Sequence, residues 1–261
     1  AAVALYGQYT FGMTLFNLPA TFVYPVTVSL IPAVSAALTR QNTLQANRII
    51  SSSFRLIALF SLPAGVGLSV LAQPILQLLY PAVPDTAAAA AYHLQILGAA
   101  AVFVCLMILT NAILQACGRV YVPIVTALIG GAVKISTTYT LCGNPVFGIK
   151  GAPISTTACY AVIAVLNLCV LAAVLGKSRP RYLPLLCKPA LAAALMGGCA
   201  HFVFRFLHTA AGLSPQWAVL AAIVLAASFY AFLALLLRMV TREDLALIPK
   251  GEKIAKILHI R

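Results

Sequence analysis

Residues 88–114 read AAAAYHLQILGAAAVFVCLMILTNAIL, a run without a single charged residue. An α-helix rises about 1.5 Å per residue, so about 20 apolar residues cross the roughly 30 Å of hydrocarbon in a bilayer. The run is longer than that, and it lacks the alternation of apolar and polar residues that is typical of a membrane β-strand. It therefore predicts a transmembrane α-helix.

Six further runs outside this stretch meet the same criterion. Together the predicted spans are about 11–37, 56–73, 88–114, 120–142, 152–176, 186–208 and 216–238. Hydrophobic residues make up 62% of the chain and charged residues only 8%, which is far from the composition of a soluble domain. We predict an all-α membrane protein of about seven transmembrane helices, whose short connections make neighbouring helices antiparallel.

The positive charges are concentrated in alternate gaps between the spans and after the last one. These segments contain Arg40, Arg48, Arg55, Arg119, Lys177, Arg179, Arg181, Lys188, Arg238, Arg242, Lys250, Lys253, Lys256 and Arg261. The opposite gaps hold only Lys150, Asp85 and Arg205. Because lysine and arginine are retained in the cytoplasm, the first residue is predicted outside and the last inside. The net charge of +13 then reflects topology and attraction to anionic membrane lipids, and no basic solvated face indicates a nucleic-acid partner.

The two ends of the chain carry further expectations. The start has neither a charged n-region nor a signal cleavage site, and an apolar segment that begins outside is awkward to insert. We therefore expect the C-terminal part of a longer protein. Residues 239–261 alternate charges with leucine and isoleucine, which predicts a basic amphipathic tail on the cytoplasmic leaflet.

The acidic residues limit the chemistry of this part of the chain. Asp85, Glu243, Asp244 and Glu252 are the only ones, and all lie outside the predicted spans. Paired-carboxylate catalysis and a sodium or proton site built from Asp or Glu are thus excluded at membrane depth. The histidines match no catalytic triad, and the cysteines form no C-x-x-C pair. We predict a protein that is not an enzyme and has neither a metal nor a cofactor.

Lys134 is the most unusual residue within a span. It lies in ALIGGAVKISTTY, and a lysine at the centre of a bilayer costs about 2.5–3.5 kcal/mol. Gly130 and Gly131, one turn earlier, allow a neighbouring helix to approach closely. One interpretation is a cation in a central cavity that meets an anionic group of a substrate. The alternative is a lysine that snorkels to the membrane surface while the glycines pack.

Two amides in the third span have a similar double interpretation. Asn111 and Gln115 are four residues apart and therefore share a helix face. They either line the same cavity as Lys134 or form hydrogen bonds across helices, each contributing about 1 kcal/mol.

Prolines interrupt the first two spans. NLPATFVYPVTVSLIP contains Pro19, Pro25 and Pro32, each of which removes a helical hydrogen bond and favours a kink. Pro63 predicts a similar break in the second span. A bent helix suits alternating access, but static kinks fit the pattern equally well.

Four stretches together resemble one known family. They are LYGQYTFGMTLFNLPATFVYPVTVSLIPAVSAALTRQ, SSSFRLIALFSLPAGVGLSVLAQPILQLLYP, NAILQACGRVYVPIVTALIGGAVKI and TREDLALIPKGEKIAKIL. They are similar, in this order, to the stage V sporulation protein B family. That family belongs to the polysaccharide-exporter branch of the multidrug/oligosaccharidyl-lipid/polysaccharide flippases. The resemblance covers essentially the whole chain.

The resemblance implies a MATE- and MurJ-like bundle with two helical lobes around a central cavity, followed by two additional helices. Residues 1–176 would form five helices of the C-terminal lobe, residues 177–238 the additional transmembrane helices, and residues 239–261 the tail. The partner of this part would be the N-terminal lobe of the same protein.

The implied function is the movement of a lipid-linked saccharide across the cytoplasmic membrane of a bacterium by alternating access. The substrate would be a polyprenyl pyrophosphate-linked precursor of peptidoglycan or polysaccharide, in the sporulation branch for the spore cortex. Its head would enter a cationic cavity, and the two additional helices would form a groove for its tail. The resemblance to transporters of this superfamily also implies a monomer.

The substrate-binding residues implied by this function are Lys134, Asn111, Gln115, Asn17 and Thr14. One departure concerns the cargo, because similar lipid II flippases carry a cavity arginine three residues before the position of Asn17, where this chain has Thr14. Two alternative functions stay open. One is a cation-coupled multidrug exporter of the same superfamily, and the other is a non-transporting membrane scaffold for envelope or spore assembly.

Overall fold

A computed structural model describes residues 2–176, 182–209, 212, 214–237 and 239 of the chain. The tail predicted over 239–261 and the basic residues Lys177, Arg179 and Arg181 fall almost entirely outside the described residues. In the described part every regular element is helical. The helices are α1 (Ala2–Phe16), α2 (Leu18–Thr39), α3 (Thr43–Val70), α4 (Ala72–Leu79), α5 (Pro84–Ala116), α6 (Tyr121–Cys142), α7 (Gly151–Leu175), α8 (Tyr182–Thr209) and α9 (Pro215–Leu236).

Seven segments of the described chain are long and apolar enough to cross a membrane. They are Tyr6–Thr39, Thr43–Val70, Pro84–Ala116, Tyr121–Cys142, Gly148–Leu175, Leu185–Thr209 and Pro215–Leu236. The first combines α1 and α2. The all-α class and the number of spans predicted from hydropathy are therefore confirmed. The largest difference from the predicted spans is in α3, which begins at Thr43, well before the predicted span 56–73. The first half of α3 carries polar and basic residues, so the apolar pattern did not include it.

Of the four prolines in the first two spans, only Pro19 lies next to an interruption of the helix. The first span is interrupted only at Asn17, and Pro19 occupies the first turn of α2, where its missing N–H would have had no helical partner. Helix α2 continues through Pro25 and Pro32. Helix α3 likewise runs through Pro63 and ends at Val70, before the short helix α4.

Helix α5 is the centre of the bundle. It packs against α1, α2, α3, α4 and α7 and contributes most of the largest buried cluster, which includes Leu97, Leu109 and Ile113. Its contact with α3 is close because two glycines face each other. A Cβ atom on Gly65 would lie 2.6 Å from the carbonyl oxygen of Gly98.

The turn after α5 sets the direction of α6. Gly118 has a φ of 74°, the left-handed conformation that glycine adopts without strain. The N–H of Arg119 donates to the Leu114 carbonyl at 2.9 Å, and that of Gly118 to the Gln115 carbonyl at 2.9 Å. This is a Schellman motif, which ends the helix and reverses the chain. We call the side of the bundle with this turn and the α2–α3 turn the basic side.

The last two described helices form a separate layer. Helix α8 packs against α3 and α9, and α9 also contacts α4. A second buried cluster joins them, with Met196 on α8 and Tyr230 on α9. The Tyr230 hydroxyl donates to the Leu59 carbonyl of α3 at 3.0 Å.

Candidate functional site

Polar side chains form an exposed stripe along the first span. Thr10, Thr14, Asn17 and Thr21 follow each other at intervals of three and four residues, and all are exposed. Each donates to a carbonyl of its own helix, including Thr14 to Thr10 at 3.1 Å and Asn17 to Met13 at 3.0 Å. These intrahelical bonds make polar side chains tolerable at membrane depth while leaving acceptor lone pairs accessible. Thr14 and Asn17, two of the predicted site residues, therefore share one polar face.

Lys134 lies half-buried on α6, near the middle of its span. One turn before it, Gly130 packs against Ile163 of α7, whereas Gly131 has no other helix within 4 Å. Lys134 lies about one turn from each of two contacts with α7, that of Gly130 with the Cys159 carbonyl and that of Thr138 with Ser155. Among the described residues its ammonium group has no hydrogen bond and no ion pair. A positive charge thus sits at membrane depth without a protein counter-charge in this part of the chain.

Asn111 belongs to a buried polar cluster that joins three helices. Asn167 of α7 is completely buried, and its Nδ2 donates to Asn111 Oδ1 at 2.7 Å and to Thr110 Oγ1 at 3.1 Å. The hydroxyl of Thr126, on α6, donates to Asn167 Oδ1 at 2.8 Å. The bond between Asn111 and Asn167 is an interhelical hydrogen bond of the kind that the alternative interpretation required. Gln115, one turn further toward the basic side, is exposed.

Asn167 and Thr126 were not among the predicted site residues. Asn167 is an isolated amide in the apolar run AVIAVLNLCVLAAVL, and an amide in such a run needs a partner within the membrane. That requirement is a signal that the sequence contains. The sequence does not identify the partners of Asn167, because they lie on other helices.

The predicted residues fall into two layers along the membrane normal. Lys134 follows Thr126 by eight residues on α6, which separates it from the Asn111 cluster by about 12 Å along the helix axis. Its neighbour Cys159 precedes Tyr160, whose ring lies 5.8 Å from that of Phe16, next to Asn17. Lys134 therefore shares its depth with Asn17 rather than with Asn111. The structure brings Thr14 and Asn17 together and places Asn111 with Asn167, but it does not bring Lys134 to Asn111 or Gln115.

A third group of polar side chains lies away from the basic side. The Tyr9 hydroxyl is 3.1 Å from Thr156 Oγ1, and the Tyr9 ring meets His93 edge to face at 5.9 Å between centroids. His93 is 2% exposed, and neither ring nitrogen has a hydrogen-bond partner among the described residues. Lys150 lies 5.5 Å above the centre of the Tyr92 ring. This group connects α1, α5 and the start of α7.

The described surface has two notable concavities. A wide, open depression of about 860 Å³ lies at the end of α6, and its lining residues are Thr138, Tyr139, Thr140, Cys142, Gly143, Asn144 and Pro145. A smaller one of about 380 Å³ lies between α4 and the start of α9. Neither contains any of the predicted site residues.

Comparisons with known proteins give a consistent result. Residues 4–227 match the family described as Lipid II flippase MurJ. The chain is 28% identical over its whole length to the uncharacterized membrane protein YabM of Bacillus subtilis, covering 48% of that protein. It is 25% identical over 95% of its length to stage V sporulation protein B of the same organism, covering 46% of it.

A solved structure shares the fold. The inward closed conformation of Lipid II flippase MurJ superposes with a TM-score of 0.74 over 89% of this chain and 47% of the other, at 16% sequence identity. The chain thus spans about half the length of the relatives that it matches.

Proposed function

Because this chain belongs to the Lipid II flippase MurJ family, we propose that it forms part of a flippase that moves a lipid-linked saccharide across the cytoplasmic membrane of a bacterium. The match over residues 4–227 is the observation that carries this proposal. It confirms the family resemblance expected from the sequence. The family match also identifies the chain as part of a multi-pass membrane protein in a family of transporters.

The mechanism that we propose is alternating access between two lobes. Helices α1 to α7 would form one lobe, with the polar stripe from Thr10 to Thr21 facing the substrate pathway. The interruption at Asn17 supports this role, since a helix end within a span leaves backbone groups that a cavity can solvate. Helices α8 and α9, layered on α3, would guide the polyprenyl tail along their apolar surface.

The diphosphate of the substrate would be met by Lys134. An ammonium group at membrane depth costs about 2.5–3.5 kcal/mol, and an anionic ligand in a wet cavity would offset that cost. The described residues offer no carboxylate to do so, since Asp85, at the start of α5, is the only acidic residue among them. The family resemblance sets Thr14 where similar lipid II flippases carry an arginine, so the charge on α6 would replace one on the first span. Lipid II itself is therefore one candidate cargo among related lipid-linked saccharides.

Complementation tests this function. The full-length gene is expressed in a bacterial strain depleted of its own lipid II flippase, and growth is measured. We expect the wild type to restore growth and Lys134→Ala to lose most of the rescue at equal protein level. Lys134→Arg, which keeps the charge, should retain much of it.

Lys150→Ala is the matched control. Lys150 lies in the short turn Gly148–Lys150 before α7, beside the ring of Tyr92 and away from Lys134, so its loss should leave rescue near the wild-type level. Normal rescue by Lys134→Ala would show that the lysine is not a substrate contact. A wild type that never rescues, although it reaches the membrane, would exclude this cargo class for the protein.

A further inference from the structure

Asn167 is held from three directions by side chains of two other helices. It is completely buried, and its amide takes part in three hydrogen bonds, to Thr110 and Asn111 of α5 and from Thr126 of α6. Both of its N–H groups are used, and its carbonyl oxygen accepts. A side chain with so many fixed partners has one orientation.

The direction of each hydrogen bond follows from the hydroxyl groups. A threonine hydroxyl has one hydrogen, and that of Thr110 is donated to the Leu106 carbonyl at 2.8 Å. Thr110 Oγ1 can therefore only accept from Asn167, which places Nδ2 of Asn167 toward α5. Its oxygen must then face α6, where the Thr126 hydroxyl supplies the donor at 2.8 Å. The Thr126 hydroxyl also lies 3.2 Å from the Pro123 carbonyl, and its shorter contact with Asn167 Oδ1 selects this assignment.

This assignment orients Asn111. Because Asn167 Nδ2 donates to Asn111, the atom of Asn111 that faces the cluster is its carbonyl oxygen, at 2.7 Å. Its own amide nitrogen is bonded to the same carbon and points away from Asn167. Asn111 is half-buried, whereas Thr110, Thr126 and Asn167 are buried, so it is the member of the cluster that reaches an accessible surface. Among the described residues its Nδ2 has no acceptor.

We propose that Asn167 is a positioning residue that makes Asn111 present hydrogen-bond donors, and not an acceptor, to an oxygen of the lipid-linked substrate. The oxygen belongs to the diphosphate or to the saccharide, both of which are rich in acceptors. The inference rests on the proposed function. It deepens that function by naming the polarity of a second contact, about 12 Å from Lys134 along the axis of α6.

A measurement without substrate tests the orientation. Full-length protein labelled with ¹⁵N-asparagine is reconstituted in lipid bilayers, and exchange of the side-chain amide protons into ²H₂O is followed by solid-state NMR. The signals are assigned by their loss in Asn111→Asp and Asn167→Asp. We expect the Asn167 amide protons to be protected and those of Asn111 to exchange. Equal protection of both would overturn the inference.

Binding tests the contact. The probes are undecaprenyl diphosphate and lipid II, and affinity is measured on purified full-length protein below the unfolding temperature of every variant. Asn111→Asp keeps an acceptor for Asn167 but presents an anionic acceptor outward, so it should weaken binding by roughly tenfold or more. Asn167→Asp loses the two N–H donors that bind Thr110 and Asn111, and it should weaken binding to a similar extent because Asn111 loses its fixed orientation.

Thr126→Val is the matched control for a merely structural role. It preserves the shape of Thr126 and removes the bond to Asn167 Oδ1, but it leaves both bonds from Asn167 Nδ2 in place. It should lower the unfolding temperature and change affinity by less than about twofold. If Asn167→Asp behaves in the same way, the cluster serves stability alone and the positioning role is excluded.

The outcomes separate this inference from the proposed function. A wild type that binds neither probe contradicts the proposed function, while amide exchange still decides how Asn111 is oriented. A wild type that binds both, together with an Asn167→Asp variant of equal affinity, contradicts only the positioning role. A loss of affinity for undecaprenyl diphosphate in Asn111→Asp assigns the contact to the diphosphate, and a loss for lipid II alone assigns it to the saccharide portion.

Discussion

At the scale of single residues, Asn167 and His93 show two ways in which a polar side chain is buried at membrane depth. Asn167 has partners on two helices, so its burial adds hydrogen bonds between α5, α6 and α7. His93 is 2% exposed between aromatic rings, and its ring nitrogens have no partner among the described residues. Burying an unpaired polar group costs about 1–3 kcal/mol, so we expect His93 to weaken the part of the bundle that contains it.

We expect His93→Leu to raise the thermal unfolding temperature of the full-length protein by a few degrees. Leucine is similar in size and removes the unpaired nitrogens, so the desolvation cost of up to about 1–3 kcal/mol is relieved. Unfolding is measured by fluorescence in detergent. His201→Leu, at an exposed position on α8, is the control and should change little. A clear fall in stability for His93→Leu would mean that the imidazole has a partner that stabilises it.

At the scale of elements, the bundle depends on close approaches that require glycine. Gly130 of α6 packs against Ile163 of α7, and a Cβ atom there would lie 2.5 Å from Ile163 Cδ1 and 3.3 Å from the Cys159 carbonyl oxygen. A Cβ atom on the next residue, Gly131, would have no atom of another helix within 4 Å. Two neighbouring glycines in one run thus have different roles, and only one of them sets the distance between helices.

The two glycines predict opposite effects on stability. Gly130→Ala should destabilise the protein by about 1–3 kcal/mol, because overpacking forces α6 away from α7. Gly131→Ala should be neutral or stabilising by up to about 1 kcal/mol, because alanine favours the helix and meets no neighbour. Denaturation in mixed micelles compares the two. Equal losses for both variants would contradict the packing between Gly130 and Ile163.

At the scale of the whole molecule, the orientation in the membrane follows from the basic side. The turns at Gln41 and Arg119 lie on that side, and the connection between α6 and α7 at Asn144 lies on the other. Since basic residues are retained in the cytoplasm, the turns at Gln41 and Arg119 are predicted inside and Asn144 outside.

Cysteine labelling of the full-length protein without native cysteines measures this orientation. Gln41→Cys and Arg119→Cys should react with a membrane-impermeant maleimide only after permeabilisation, whereas Asn144→Cys should react in intact cells. The native Cys117 has to be replaced with the others, although burial raises the pKa of its thiol and slows its reaction. Labelling of Gln41→Cys and Asn144→Cys from the same side would contradict the predicted topology.

The number of spans and the helical class were predictable because their causes are local. A helix in lipid satisfies its backbone within one segment, so a continuous apolar run is enough to indicate it. The sequence also singled out Lys134 and Asn111, since a polar group in such a run is costly wherever the helix packs. The family resemblance, which the comparisons confirm, added the bundle to which these helices belong.

Only the tertiary structure decided which polar groups meet. The partners of Asn167 lie 41, 56 and 57 residues away in the chain. Lys134 and Asn111 belong to the same bundle but lie at different depths in it. These relations depend on the rotation and height of each helix in the membrane. In water an apolar stripe fixes the rotation, but a span that is apolar on every side gives no such signal, and close packing and interhelical hydrogen bonds determine it instead.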